Sequence, residues 1–264
     1  IHVEHFDHVR VIAVLVAGSL LVFSQFARQI EEGHGISGQG SHGAIWGVIV
    51  ANIVNFVGIS HVGIAISAVV RILNLKRYQQ LARIAELVTL AAMTTAVLNI
   101  AMDVGRPERF ILNVVWLGRW HSPFVWSATV ITTYIVGSSV YLYLAMRRDL
   151  AKCAVEVPTR RRLYTLLSFG YQDSAPARKR HNRVVWWMAV IILPIMVSVH
   201  SVYGYIFGLQ VARPGWYNPF QAPYFVLGAI VSGFSTMIVV AAVFRKAFNW
   251  ETVFVPRLFK GLGI

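Results

Sequence analysis

The sequence predicts an all-α integral membrane protein of about six transmembrane helices in a bundle. Three observations predict it. Six apolar stretches punctuate the 264 residues. Hydrophobic residues make up 56% of the chain, with a mean hydropathy of +0.60. The loops between the stretches carry Lys and Arg almost entirely on alternate sides. We place the spans at Val11–Phe26, Ile45–Val70, Ile84–Met102, Phe124–Met146, Val184–Leu209 and Pro223–Phe244. The last five cross a hydrocarbon core of about 30 Å at about 1.5 Å per residue. The first is short, and crosses if its ends extend or Arg10 and Arg28 snorkel. Residues 1–264 are read as one transmembrane helical domain, with a basic cytoplasmic loop at 147–183.

The basic residues set the orientation. With the N-terminal end on side one, that side holds Arg10, four residues between Arg71 and Arg83, ten between Arg147 and Arg183, and four from Arg245 onward. Side one therefore carries 19 of the 24 Lys and Arg, against Arg28, Arg106, Arg109, Arg119 and Arg213 on side two. The positive-inside rule makes side one the cytoplasm and puts both ends of the chain there. A net charge of +13 would otherwise suggest nucleic acid. Here it sits where topology and anionic headgroups place it, and no nucleic-acid partner is expected. Trp46, Trp116, Trp120, Trp126 and Trp216 cluster at the outer boundary, and Trp186, Trp187 and Trp250 at the inner one, as an interfacial belt.

Along the chain, the first span is preceded by a His- and acid-rich segment and followed by no small-residue cleavage pattern, so it is read as a retained helix rather than a signal peptide. The outer loop Glu31–Gly43 is dense in glycine. The second span carries Asn52, Asn55, Ser60 and His61, a polar interior. The third has Glu86 near its inner end and Asp103 at its outer end. In the basic loop, Leu163, Leu166 and Leu167 after Arg160–Arg162 suit a short helix on the membrane surface, or a solvated connector. The fifth span contains Pro194, which frees a carbonyl one turn earlier, and His200. The sixth carries Gly228, Ala229, Ser232 and Gly233, two overlapping small-xxx-small pairs that admit a close neighbour. Cys153 is the only cysteine, so neither a disulfide within the chain nor a cysteine-held cluster is expected.

A charge at the bilayer centre costs at least about 2.5 kcal/mol, so His61, Glu86, Asp103 and His200 are the candidates for chemistry. Each histidine has a structural alternative, a neutral imidazole bonded to a neighbouring helix. Asp103 and Arg106 are spaced i,i+3 before Pro107, so they form either a salt bridge or an acid facing a cavity that exchanges protons. Glu86 with Arg83 reads as a structural pair. Counting along the helices puts Asp103 and His200 near the outer leaflet and His61 about 22 Å along its span. No tight cluster is therefore expected. Two histidines without a common depth also argue against a haem.

Several strings carry a resemblance. They are Gly33–Gly40 with Trp46-Gly47, Asn55-Phe56-Val57-Gly58-Ile59-Ser60-His61-Val62-Gly63, Arg83-Ile84-Ala85-Glu86, Asp103–Pro107, Ser122-Pro123 with Trp126, Ser198-Val199-His200-Ser201, and Pro214-Gly215-Trp216 with Pro223–Gly233. In order and spacing they resemble the NrfD/polysulfide-reductase membrane-subunit family, nearest to the quinol-interacting subunits of alternative complex III. The resemblance implies a helical bundle in a bacterial cytoplasmic membrane that binds a quinone (menaquinone or ubiquinone) toward the outer face. It implies no haem or iron–sulfur cluster in this chain. Electrons would pass to a periplasmic iron–sulfur subunit and on to a multihaem cytochrome c subunit, beside other membrane subunits. Members of the resembled family have more spans than six, so this chain is expected to form part of an eight-to-ten-helix subunit. An acidic residue follows the His200 segment in that family, where this chain has Tyr203-Gly204-Tyr205.

The resulting assignment is a quinol-oxidising (or, in reverse, quinone-reducing) membrane subunit. His200 and Asp103 accept the protons, with His61 as a second acceptor or conduit. Arg106 orients Asp103 or holds a quinone carbonyl, and Tyr203 and Trp216 flank the ring. The alternatives are an ion transporter, which would conduct without quinol, and a passive anchor for redox subunits, which would bind none.

Overall fold

The computed structural model describes residues 8–38, 47–105 and 110–251, together with Phe254, Phe259 and Gly261. All regular structure among the described residues is helical. The long helices are α1 (His8–Glu32), α2 (Val48–Ile72), α3 (Gln79–Val104), α4 (Pro123–Glu156), α6 (Ala175–Gly208) and α7 (Gln221–Ala247), with a short α5 at Arg161–Leu167. Six segments are long and apolar enough to span a membrane. A helix suits long apolar runs in lipid, because it satisfies every interior backbone N–H and C=O within itself.

The first helix does extend at its ends: it continues through the polar stretch Ser24–Glu32 and reaches 25 residues. Helices α4 and α6, at 34 residues each, run past the hydrocarbon region at their basic ends. Both open on a Ser followed by Pro in the first turn, where the missing proline N–H is no loss. The basic loop does contain a short helix, α5. Leu163, Leu166 and Leu167 are exposed, and its end is tied to α4 by Tyr143 donating to the Leu167 carbonyl and Arg147 Nε donating to that of Ser168.

The chain forms two compact units, one of Ile1–Ile53 with Val97–Leu117, the other of Val54–Ala96 with Gly118–Ile264. In the second unit the core is built of side chains from five helices, including Ile64, Leu81, Tyr134, Tyr141, Ile192, Val199 and Met237, all fully buried. Small residues set the helix spacing. A Cβ at Gly63 would fall on Thr89 Oγ1 and within 2.6 Å of the Ala85 carbonyl. At Gly233 it would fall on Val62, and at Gly204 it would lie 2.9 Å from the Ala222 nitrogen. Of the two small-xxx-small pairs on α7, the one used is Ala229 with Gly233, which faces Gly58 and Val62 of α2. Gly228 has open space around it.

Candidate functional site

In the second unit, α2 and α6 bring His61 and His200 into direct contact, with Nδ1 to Nδ1 at 2.5 Å. Both rings are buried. A bond between two imidazole nitrogens needs one N–H and one bare lone pair, so the pair shares a single hydrogen. The His61 ring also meets Tyr134 edge-on at 4.1 Å between centroids. Its Nε2 is buried and has no hydrogen-bond partner among the described residues. Whichever tautomer is present, that atom is an unsatisfied donor or acceptor, a cost of about 1–3 kcal/mol that packing alone does not explain.

The pair stands at one end of a polar ladder between α2 and α4. Ser60 Oγ donates to the Val57 carbonyl at 2.9 Å, so its one hydrogen is used and Tyr134 is the donor in their 2.7 Å contact. Seven residues further along both helices the pattern repeats. Ser67 Oγ donates to Glu86 Oε1 at 2.6 Å and accepts from Tyr141 at 2.8 Å. The two rungs are about 10.5 Å apart along the helix. Glu86 is buried and takes Arg71 Nη2 at 2.6 Å on one oxygen and Arg83 Nη1 at 3.1 Å on the other. Arg83 also reaches Asp149 at 2.8 Å and the Ala145 carbonyl at 3.1 Å. The expected Glu86–Arg83 pair is thus one edge of a network across three helices.

In the first unit, Asp103 lies half-buried at the end of α3, within electrostatic reach of His34. Gln29 Nε2 donates to the Met102 carbonyl at 2.6 Å and meets His34 Nδ1 at 3.2 Å. The carbonyl contact fixes which end of the amide is nitrogen, so Nδ1 accepts and a neutral His34 carries its hydrogen on Nε2. The His34 ring lies over Gly105, where a side chain would collide with it and where φ of +70° itself favours glycine. In the same unit, Val14, Gly18, Val22, Phe23 and Phe26 of α1, with Leu98 and Met102 of α3, line an apolar groove of about 430 Å³.

The predicted residues therefore fall into separate places. His61 and His200 come together, against the expectation of unequal depth. Depth counted along the chain ignores helix tilt and unequal loop heights, and the side-chain contact overrides it. Asp103 belongs to the other unit. Arg106, with Pro107 and Trp46, lies outside the described residues. Trp216 sits in the loop between α6 and α7, edge-on to Phe207 at 5.6 Å and beneath Arg213. Tyr203 is half-buried one turn after His200. Sequence reasoning missed Gln29, His34, Tyr134 and Tyr141. The signal for the last two was the matching seven-residue spacing of Ser60/Ser67 and Tyr134/Tyr141.

A family profile described as polysulphide reductase, NrfD, matches residues 37–262. The chain belongs to the NrfD family. It is 34% identical over 252 residues to a putative membrane subunit of dimethyl sulfoxide reductase from Halobacterium salinarum, covering 94% of this chain and 55% of that protein. It is 25% identical over 251 residues to an Hdr-like menaquinol oxidoreductase integral membrane subunit of Archaeoglobus fulgidus, covering 95% and 54%. A selenate reductase subunit of Mesobacillus selenatarsenatis matches at 24% over 233 residues, covering 86% and 54%. This NrfD-family chain spans about half the length of these relatives. Its six apolar helices and its family make it a multi-pass membrane protein.

Proposed function

We propose that this chain is the quinol-interacting part of a membrane oxidoreductase subunit. It passes electrons from quinol to an iron–sulfur partner on the face opposite its basic loops, and those loops lie in the cytoplasm. The observation that carries the reading is the α1–α3 groove. Its apolar lining runs up to Met102, whose carbonyl is held by Gln29 and whose chain neighbour is Asp103. An apolar trough suits an isoprenoid tail, and an acid one residue beyond its last lining residue on α3 supports a ring with two hydroxyls as what the tail carries.

Quinol supplies two electrons and two protons on oxidation. Asp103 accepts one hydroxyl proton and the His61–His200 pair is assigned the other, the two electrons leaving to the partner, while His34, presenting Nε2–H, donates a hydrogen bond to a ring oxygen. The His61–His200 pair, with its shared hydrogen and its open Nε2, is assigned to proton exchange, and the Ser–Tyr ladder and Glu86 extend it toward the basic end of the helices. A relative named as a menaquinol oxidoreductase subunit supports quinol as the substrate class. A multihaem cytochrome c as final acceptor, as in alternative complex III, is the further partner this reading carries. Arg106 keeps its assignment as the group that orients Asp103 or holds a quinone carbonyl.

The test is quinol-dependent reduction of the partner by the intact complex carrying Asp103→Asn or His61→Ala. Each should lose at least about 100-fold in turnover, the lower range for removing a proton acceptor, with assembly intact on native gels. Unchanged turnover in both variants removes the assignment.

A further inference from the structure

The basic end of the second unit holds a pocket that the quinol chemistry does not use. Its volume is about 380 Å³, and its walls include Arg71 in the last turn of α2, Asn74 after it, Arg83 of α3, Arg148 of α4, and Asn182 and Trp186 of α6. Among the described residues, no carboxylate lines it. Glu86, Asp149 and Asp173 pair with the three arginines without contributing to its walls. Arg148 holds Asp173 through Nη2 at 3.3 Å, while its Nε is buried with no hydrogen-bond partner among the described residues. The unpartnered N–H belongs to a side chain that lines the pocket, and a buried guanidinium N–H without an acceptor is costly.

Three planar donor forks with neutral amides between them select an oxyanion, and the guanidinium fork matches phosphate in particular. The pocket lies at the basic ends of these helices. Trp186 stands in the wall as an interfacial aromatic, and the surrounding loops carry most of the chain's positive charge. We propose that this pocket binds a phosphate group, that of an anionic phospholipid in the leaflet at the basic end of the helices.

The test uses the full-length subunit in its native complex, reconstituted in nanodiscs of phosphatidylcholine alone or mixed with phosphatidylglycerol. Bound lipid is read by native mass spectrometry and stability by thermal unfolding. The wild type should retain phosphatidylglycerol through detergent exchange and unfold at a higher temperature in its presence. Arg148→Gln should weaken retention about tenfold, the loss of one charge-assisted hydrogen bond. Arg178→Gln removes the other guanidinium from the same Asp173 without touching the pocket wall, and should retain lipid like the wild type. A third arm adds inorganic phosphate to phosphatidylcholine nanodiscs. Stabilisation by phosphate that Arg148→Gln abolishes keeps the site and makes its ligand a soluble phosphate. Equal behaviour of the two variants overturns it, as does indifference to both phosphatidylglycerol and phosphate.

Discussion

Replacing His61 with Phe separates a structural histidine from a working one. The substitution keeps a ring against Tyr134 and deletes both imidazole nitrogens. It removes the orphan Nε2, which returns about 1–3 kcal/mol, and it removes the Nδ1 contact with His200, which forfeits about 0.5–1.5 kcal/mol. It also leaves His200 Nδ1 without its partner, a new orphan of about 1–3 kcal/mol. The terms nearly cancel, so we expect a stability change within about 1.5 kcal/mol of zero. The double variant with His200→Phe removes the second orphan and should be at least as stable as the single one. Unfolding of the purified subunit in mixed micelles measures this, and quinol-driven partner reduction is measured on the same preparations. Turnover should fall at least about 100-fold in both variants. A loss of more than about 3 kcal/mol would mean that the pair is a structural lock, at the scale of breaking a buried polar network. Full activity would mean that its shared hydrogen does no chemistry. Either result refutes the reasoning.

Glu86→Ala strands Arg71 within the α2–α3–α4 network, and we expect a loss of about 3 kcal/mol, partly recovered in the double variant with Arg71→Met. The Arg83 edge adds little, since that side chain is 44% exposed and also holds Asp149. Gly63→Ala should destabilise by about 1–3 kcal/mol, because its Cβ meets a backbone carbonyl that cannot turn away. Gly58→Ala should be tolerated, its nearest neighbours being Ala229 at 3.5 Å and His200 Nε2 at 3.6 Å; thermal unfolding of both variants checks the contrast. In the loop before α6, the hydrogen bond from Arg178 holds the Asp173 carboxyl below its usual range. A depressed carboxylate contributes its ordering above its unfolded pKa and loses it as pH falls through the folded value. Proteolytic protection of the 168–178 turn should therefore drop only below about pH 4, and Asp173→Asn should remove the pH dependence.

The six spans were legible because long apolar runs in lipid suit a helix. Their ends were not, because Ser24–Glu32 and Arg147–Glu156 continue a helix after hydropathy has fallen, where water or headgroups receive polar side chains without unwinding it. His61, His200, Asp103 and Glu86 were recognisable by the cost of burying an ionisable group. Which of them meet depends on tilt and on loop height, and no residue spacing encodes either. Gln29 and His34 escaped notice since an interfacial Gln or His is ordinary when its neighbours are unknown. Only the fold shows the amide gripping a carbonyl 73 positions away.

The matched rungs of α2 and α4 also constrain how the bundle can move. Slipping one helix past the other by a single residue would part Ser60 from Tyr134 and Ser67 from Tyr141 together, in surroundings without solvent to take over either hydroxyl. The next register that could reconnect even one of them lies two full turns away. These two helices are keyed to each other like a stator, and whatever rearrangement accompanies turnover must be carried elsewhere in the molecule.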